Sequence, residues 1–151
     1  MIKIICVGKI KESYLKNAIE EYAKRLSKYT KLQIIELQDE GLVDKDQAKK
    51  LEAEKISKHI NPKDYIITLE IDGCSITSEQ FAKKIDDTLI INSNITFIIG
   101  GSYGLDDTIK NISKYKLSFS KMTFPHQLFR VILLEQIYRA FKIINNESYH
   151  K

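Results

Sequence analysis

The sequence predicts an α/β fold, a mainly parallel β-sheet with helices on both faces. Strand-like and helix-like segments alternate along all 151 residues. The segment Ile95–Ile99 is almost entirely apolar, which is typical of a central strand buried on both faces. A glycine-rich turn, Gly100-Gly101-Ser102-Tyr103-Gly104, follows it directly. Because open α/β sheets bind ligands at the carboxyl ends of their strands, we expect a small-molecule site there.

The first half of the chain contains two predicted strands and two predicted helices. Ile2–Val7 and Leu32–Leu37 are rich in β-branched residues, which favours strands. Residues 12–26 form a helix because their apolar positions recur every three or four residues. Residues 39–43 form a loop, and the charged residues 44–60 form a second helix that a following proline stops.

The second half continues the alternation around the central strand. Residues 65–71 form a strand, and Asp72-Gly73 is expected to turn the chain. The spacing of Thr77 and Gln80 is that of a capping box, which opens another helix. A short helix over residues 106–113 and a short strand over residues 116–118 complete the pattern.

The last predicted helix covers residues 125–144 and has a proline at its favoured first position. Apolar side chains surround most of its circumference, so it must be buried on more than one side. One side faces the sheet, and we expect the other to face a second subunit. A homodimer is therefore predicted, with Ile137 and Phe141 as positions where a lysine would disturb the interface or the fold.

Length and composition predict one domain, residues 1–151, of a cytoplasmic protein. Hydrophobic residues make up 43% and charged residues 29%, no apolar run matches a bilayer, and the start shows no signal-peptide layout. Cys6 and Cys74 are too few for a disulfide scaffold, and we expect both to be buried. His59, His126 and His150 lack metal-ligand spacing, so no metal site is predicted.

Charge is distributed unevenly around a net value of +4. Eight basic residues face three acidic ones in residues 1–31, and five face two in residues 121–151. Between them, residues 32–120 carry eleven basic and fifteen acidic residues. If the two basic ends meet in space, they form a positive surface suited to phosphates. A solvated surface with chance clustering explains the same numbers.

Three blocks together resemble a known family. They are the glycine-rich turn, the stretch Leu117-Ser118-Phe119-Ser120-Lys121-Met122-Thr123-Phe124-Pro125-His126-Gln127, and the ending Glu147-Ser148-Tyr149-His150-Lys151. The chain resembles, over its whole length, the bacterial large-subunit ribosomal RNA pseudouridine N3-methyltransferases of the SPOUT superfamily. The resemblance implies S-adenosyl-L-methionine as cofactor, a C-terminal deep trefoil knot, a homodimer and a ribosomal substrate. Periodicity alone would not predict a knot, because knots are nearly absent from folds.

The resemblance also implies which residues bind the cofactor. They are Leu69, Gly100, Gly101, Gly104, Phe119, Ser120, Lys121, Met122, Thr123 and Phe124. Glycines suit such a turn because they adopt positive φ and let a ligand approach the backbone. Without the resemblance, an ordinary strand-to-helix turn is the better explanation of the glycines. The spacing differs from Gly-x-Gly-x-x-Gly, which argues against a nicotinamide dinucleotide.

The target-facing residues are predicted near the end of the chain. Family members fold the tail over the cofactor, which implies catalytic roles for Tyr149 and His150. Histidine can accept a weakly acidic N3 proton near neutral pH, and tyrosine can stack on a base. Arg130 is a further catalytic candidate that would pair a phosphate or the cofactor carboxylate. RNA contacts are expected from Lys9, His126, Arg130 and Lys151. A disordered tail, and a His126 that only packs or caps, are the alternatives.

These inferences favour an enzyme that transfers a methyl group from S-adenosylmethionine to N3 of a pseudouridine in 23S ribosomal RNA. The assembled ribosome is the expected substrate. The first alternative is a catalytically silent dimer of the same fold that binds the ribosome. The second is an unrelated doubly wound nucleotide enzyme such as an oxidoreductase, which the missing dinucleotide fingerprint disfavours.

Overall fold

Five parallel strands form a single sheet in the computed structural model, which describes residues 1–41 and 44–151. The strands are β1 (Ile2–Val7), β2 (Leu32–Leu37), β3 (Tyr65–Ser75), β4 (Ile95–Ile99) and β5 (Tyr115–Ser118). Their spatial order is β2-β1-β4-β3-β5, and every pair is parallel. The predicted bounds of β1, β2 and β4 are confirmed. The almost entirely apolar β4 is central and fully buried, as predicted.

Helices cover both faces of the sheet, which confirms the predicted architecture. They are α1 (Ser13–Leu26), α2 (Lys45–Ser57), α3 (Ser78–Ile91), α4 (Asp107–Ile112) and α5 (His126–Ile144). One core packs α1, α3 and α5 on the sheet, and the other packs α2 and α4 on the opposite face. The capping box of Thr77 and Gln80 is present. The last two residues of the loop predicted over 39–43 lie outside the described residues.

Strand β3 differs most from its prediction. Leu69 and Cys74 both pair with Leu117 of β5, so the four residues between them form a bulge and the strand then resumes. The prediction that the chain turns at Asp72-Gly73 was therefore wrong, because β3 continues through both residues. A Cβ atom on Gly73 would lie 2.8 Å from backbone atoms of Lys116 and Leu117, so only glycine permits this close approach. The bulge moves residues 70–72 to the carboxyl edge of the sheet.

Helix α5 is buried mainly by its own chain. Leu133, Ile137 and Phe141 belong to the core beneath it, while α1 and α3 flank it. Lysine at Ile137 or Phe141 would therefore disrupt the core before any interface. Much of the apolar circumference that the sequence analysis assigned to a second subunit is covered within the chain, although Leu128 is 40% exposed. The homodimer and the trefoil knot stay predictions.

The two cysteines lie in opposite environments. Cys6 on β1 is buried, and burial raises the pKa of its thiol to about 11. Cys74 is exposed at the end of β3, so the expectation that both are buried was wrong.

We predict that a thiol reagent labels Cys74 rapidly in the native protein and labels both cysteines in denaturant. Rapid labelling of Cys6 in the native state, followed by mass spectrometry, would contradict this packing.

No helix in residues 1–41 and 44–151 is long and apolar enough to cross a bilayer. Within the same ranges, no group of three or more histidine, cysteine or acidic side chains is arranged to hold a metal ion.

Candidate active site

A cavity of about 430 Å³ opens at the carboxyl edge of the sheet, where the sequence predicts a ligand. Its walls come from the β3 bulge, the turn after β4, and the segment that leads from β5 into α5. Nine of the ten predicted cofactor residues line it: Leu69, Gly100, Gly101, Gly104, Phe119, Ser120, Met122, Thr123 and Phe124. Lys121 is exposed and lies outside the lining. The volume falls within the usual range of small-molecule pockets.

The glycine-rich turn closes on itself. The Gly104 amide donates to the Gly101 carbonyl at 3.0 Å, and Gly104 has a φ of +82°. A Cβ atom on Gly100 would lie 2.9 Å from the carbonyl carbon of Gly104. A Cβ atom on Gly101 would lie 3.1 Å from a methyl carbon of Val7 and from the Glu52 carboxylate oxygens. Positive φ therefore explains only Gly104, and close packing within the protein explains the other two.

Glu52 of α2 lies behind this turn and is 4% exposed. Its carboxylate accepts a hydrogen bond from the Glu40 amide at 3.4 Å. Burial raises the pKa of Glu52, the Glu40 amide opposes that shift, and the negative charge of Asp39 adds to it. Glu52 supports the turn from the side opposite the cavity. In the sequence it is one acid in a highly charged helix, so nothing singled it out.

Aromatic rings form the wall that follows β5. Phe119 and Phe129 meet edge to face with centroids 5.1 Å apart, and Phe124 stacks on Phe129 at 6.0 Å. The amide of Met122 donates to Ser120 Oγ at 3.0 Å, which shapes the turn between them. The Met122 side chain is 75% exposed, so it lies at the mouth of the cavity. This arrangement gives an apolar interior with a flexible thioether at the entrance.

The charged side chains in the lining were missed by the sequence analysis. Glu70 and Asp72 come from the β3 bulge, and Lys110 comes from α4. Glu70 Oε2 accepts a hydrogen bond from Thr68 Oγ1 at 2.6 Å, and Lys110 Nζ lies 3.7 Å from Glu70 Oε1.

Arg130 is buried rather than open to a ligand, with 2% of its surface exposed. Its guanidinium donates to the Glu36 carboxylate at 2.7 Å and to the carbonyls of Val7 and Gly8 at 3.0 and 2.6 Å. It therefore ties the start of α5 to the ends of β1 and β2, and it does not line the cavity. His126, one turn earlier, does line it. Burial lowers the pKa of His126, and the Arg130 charge lowers it further.

The C-terminal tail packs on its own chain and outside the cavity lining. Tyr149 donates to the Glu135 carboxylate at 3.1 Å, and its ring meets Tyr138 edge to face at 4.9 Å. Burial raises the Tyr149 pKa to about 12, and the Glu135 charge adds to the shift. His150 lies 2.7 Å from Glu79 and 3.2 Å from Arg139. The tail thus packs against α3 and α5, although a free tail is the usual expectation.

Glu147 anchors the tail and gives it a pH-dependent attachment. Hydrogen bonds from Lys142, Tyr29 and Lys28 lower its pKa from 4.5 to about 2. A carboxyl group whose pKa is lower in the folded than in the unfolded state stabilises the folded state at pH values above its unfolded pKa. This contribution is lost as the pH falls through the folded-state pKa. We predict that the stability advantage of the wild type over Glu147→Gln is complete above about pH 4.5 and disappears near pH 2. Carbon-detected NMR titration of the Glu147 carboxyl checks this, and a midpoint near 4.5 would contradict it.

A comparison with known protein families shows which family this chain belongs to. Residues 1–150 match the profile of the family described as "Predicted SPOUT methyltransferase". The chain belongs to the SPOUT methyltransferase family. The match spans the glycine-rich turn, the aromatic wall and the tail, so the resemblance predicted from the sequence is confirmed.

Full-length relatives agree with the family assignment. The chain is 60% identical to the "Putative ribosomal RNA large subunit methyltransferase H" of Methanococcus maripaludis strain C5. It is 57% and 50% identical to the "Ribosomal RNA large subunit methyltransferase H" of Clostridium botulinum strain Alaska E43 and of Ruminiclostridium cellulolyticum. Each alignment covers 99% of both chains.

Solved structures share the fold at low sequence identity. A probable methylase family protein from Haemophilus influenzae aligns with 99% of this chain and 70% of its own, with a TM-score of 0.56 and 17% identity. The tRNA (m1G37) methyltransferase from Aquifex aeolicus aligns with 91% of this chain and 69% of its own, with a TM-score of 0.51 and 13% identity. These likenesses establish the fold alone.

Proposed function

We propose that this SPOUT protein is an S-adenosylmethionine-dependent methyltransferase that methylates N3 of a pseudouridine in 23S ribosomal RNA. The observation that carries the proposal is a single cavity lined by nine of the ten expected cofactor residues. End-to-end identity of 50–60% to proteins named large-subunit ribosomal RNA methyltransferases supports the substrate. We further propose a cytoplasmic homodimer with a trefoil knot that acts on the assembled ribosome without a metal.

The residues around the cavity fit the chemical groups of this cofactor. Leu69, Leu117 and Phe119 offer apolar surface to adenine, and the backbone of the glycine-rich turn offers polar groups to its edge. Lys110 suits the carboxylate of the amino-acid part, while Glu70 suits the positively charged sulfonium. When bound, S-adenosylmethionine supplies an electrophilic methyl group to the RNA base.

The tail supplies the groups that suit the target base. In the proposed reaction His150 accepts the N3 proton of the pseudouridine, so that the nitrogen lone pair becomes available to the methyl group. Tyr149 stacks on the base, as aromatic side chains do in RNA recognition. In this structure Tyr149 and His150 contact Glu135 and Glu79 and lie outside the cavity lining, so both roles depend on the tail meeting a cofactor cavity, either its own or that of a second subunit.

Exposed lysines near the chain ends suit contacts with RNA phosphates. Lys9 is the second residue after the end of β1, and Lys151 ends the tail; both are exposed. His126 at the cavity wall remains a candidate contact to the nucleotide. Arg130, which is held by Glu36 and two carbonyls, is proposed to position these elements instead of binding phosphate.

The test is methyl transfer from labelled S-adenosylmethionine to 70S particles, 50S particles and naked 23S ribosomal RNA in parallel. We expect label in 70S particles, at N3 of a pseudouridine, and none in particles from cells that lack pseudouridine in that RNA. Label on another base would contradict the assigned position. Ribosome binding without methyl transfer would indicate the silent binding dimer.

Deleting residues 149–151 is predicted to lower methyl transfer at least a hundredfold while cofactor affinity changes less than about threefold. The tail lies outside the cavity lining, so the cofactor loses few contacts. The single variant His150→Ala should lower the single-turnover rate more than it weakens ribosome binding. Rates under saturating ribosomes, with calorimetry for the cofactor, check both statements. A wild-type rate for His150→Ala would exclude it as the base.

A further inference from the structure

Glu70 is the acidic side chain set deepest in the cavity wall. Two carboxylates and one ammonium group line the cavity, from Glu70, Asp72 and Lys110. The Glu70 side chain is 11% exposed, whereas Asp72 is an exposed residue. A charge in such a partly desolvated position interacts more strongly with a ligand charge than a surface group does. Of the two carboxylates in the lining, Glu70 is therefore the one expected to act more strongly on a ligand charge.

The Glu70 carboxylate is held in one orientation by buried neighbours. Oε2 accepts the Thr68 hydroxyl at 2.6 Å, and Thr68 itself is 0% exposed and lies 2.8 Å from Ser113 Oγ. Oε1 accepts no hydrogen bond within the described part of the chain, and Lys110 Nζ at 3.7 Å only pairs with it at long range. One oxygen is thus fixed by the protein, and the other remains available to a ligand charge.

We propose that Glu70 makes this site prefer the charged methyl donor to the neutral product that remains after transfer. This inference rests on the proposed function. S-adenosylmethionine carries a sulfonium, an ammonium and a carboxylate, hence one net positive charge. Methyl transfer leaves S-adenosylhomocysteine, whose thioether is neutral and whose net charge is zero. The carboxylate attracts the extra charge of the donor, and that attraction ends when the methyl group leaves.

A different role for Glu70 leads to a different measurement. If its carboxylate only accepted hydrogen bonds from the ribose hydroxyls, donor and product would lose affinity equally, because both carry the same ribose. The same holds if Glu70 only supports the bulge. The ratio of the two dissociation constants therefore separates charge discrimination from general binding.

The experiment is calorimetry of S-adenosylmethionine and S-adenosylhomocysteine binding to wild type, Glu70→Gln, Lys110→Met and Asp86→Asn. Glu70→Gln should lower the preference for the donor about tenfold and change product affinity less than about twofold. Lys110→Met should raise the preference at least threefold, since the ammonium repels the sulfonium but not the thioether. Asp86 is an exposed acid on α3 outside the cavity, so Asp86→Asn controls for net charge and should leave the preference within twofold.

Equal weakening of both ligands by Glu70→Gln, or a preference no different from that of Asp86→Asn, overturns the proposal. The opposite shift in Lys110→Met keeps the test decisive if Glu70→Gln does not fold, and an unchanged or lowered preference there also overturns it. An analogue with an ammonium in place of the sulfonium should follow the donor in every variant. If the wild type binds neither ligand, the proposed function fails as well, a result distinct from an unchanged ratio.

Discussion

Arg130→Met is expected to lower the free energy of unfolding by about 3 kcal/mol. The guanidinium is 2% exposed and donates to Glu36, Val7 and Gly8, so its removal leaves a carboxylate and two carbonyls without these donors. Removing one partner of a buried pair usually costs about 3–5 kcal/mol. We expect the lower end because the Glu36 side chain is 37% exposed and water can reach it. The Ile10 amide, at 2.8 Å, also remains bound to Glu36.

The matched control is Arg25→Met, which removes an exposed arginine–carboxylate pair within α1. Arg25 and Glu21 have side chains 42% and 53% exposed, so water screens the pair and this change should cost far less stability than Arg130→Met. Arg130→Lys should restore only part of the stability, because an ammonium cannot reproduce the planar fork of donors. Urea unfolding at matched protein concentration gives all three values. A loss below about 1 kcal/mol for Arg130→Met would show that the buried pair contributes little.

Arg130 also shows where sequence reasoning reaches its limit. Its spacing from His126 predicted a shared face at the start of the last helix. The guanidinium was expected to bind a phosphate because a sequence does not show which distant carboxylate is nearby. Glu36 is 94 positions away in the sequence and lies near the end of β2, which pairs with β1. The pairing becomes visible only when β1, β2 and α5 are placed together.

The strands differ in how far local patterns predicted them. β1, β2 and β4 are β-branched runs whose bounds follow from composition, and all three were correct. β3 was cut short at Asp72-Gly73 because that dipeptide favours a turn. In the structure the backbone of β5 pairs with both sides of the bulge, which overrides the local preference. Glu70 and Asp72, the two acidic residues of the cavity lining, were missed for the same reason, since both lie in that bulge.

The candidate site was predicted mainly through resemblance, and physical reasoning explained only its location. Parallel strands bring the ends of β3, β4 and β5 to one edge, so a cavity beside Gly100 was expected from topology. The wall of Phe119 and Phe124 follows no periodicity and came from the family motif. The resemblance also placed Tyr149 and His150 at the cofactor, whereas in this structure they contact Glu135 and Glu79.

Gly101→Val is expected to reduce S-adenosylmethionine affinity at least a hundredfold. A Cβ atom there would lie 3.1 Å from a Val7 methyl carbon and from both Glu52 carboxylate oxygens, closer than most real Cβ contacts. Both neighbours are buried, with exposures of 2% and 4%, so they have little room to move. The branched side chain would push the turn toward the cavity that it lines. A stability loss of about 2 kcal/mol should accompany this overpacking.

The cause can be tested by relieving the contact. Gly101→Ala adds only the Cβ atom and should weaken cofactor binding about fivefold to tenfold. In a Glu52→Ala background, the carboxylate oxygens that meet this atom are absent and only the Val7 methyl contact remains, so the same change should weaken cofactor binding clearly less than it does with Glu52 in place. Gly41→Ala is the matched control, since no atom of residues 1–41 and 44–151 outside its chain neighbours lies within 4 Å of a Cβ atom at that position. If Gly101→Ala weakens cofactor binding as much in the Glu52→Ala background as in the wild type, the turn does not depend on its packing against Glu52. Wild-type affinity in folded Gly101→Val would remove the turn from the cofactor site.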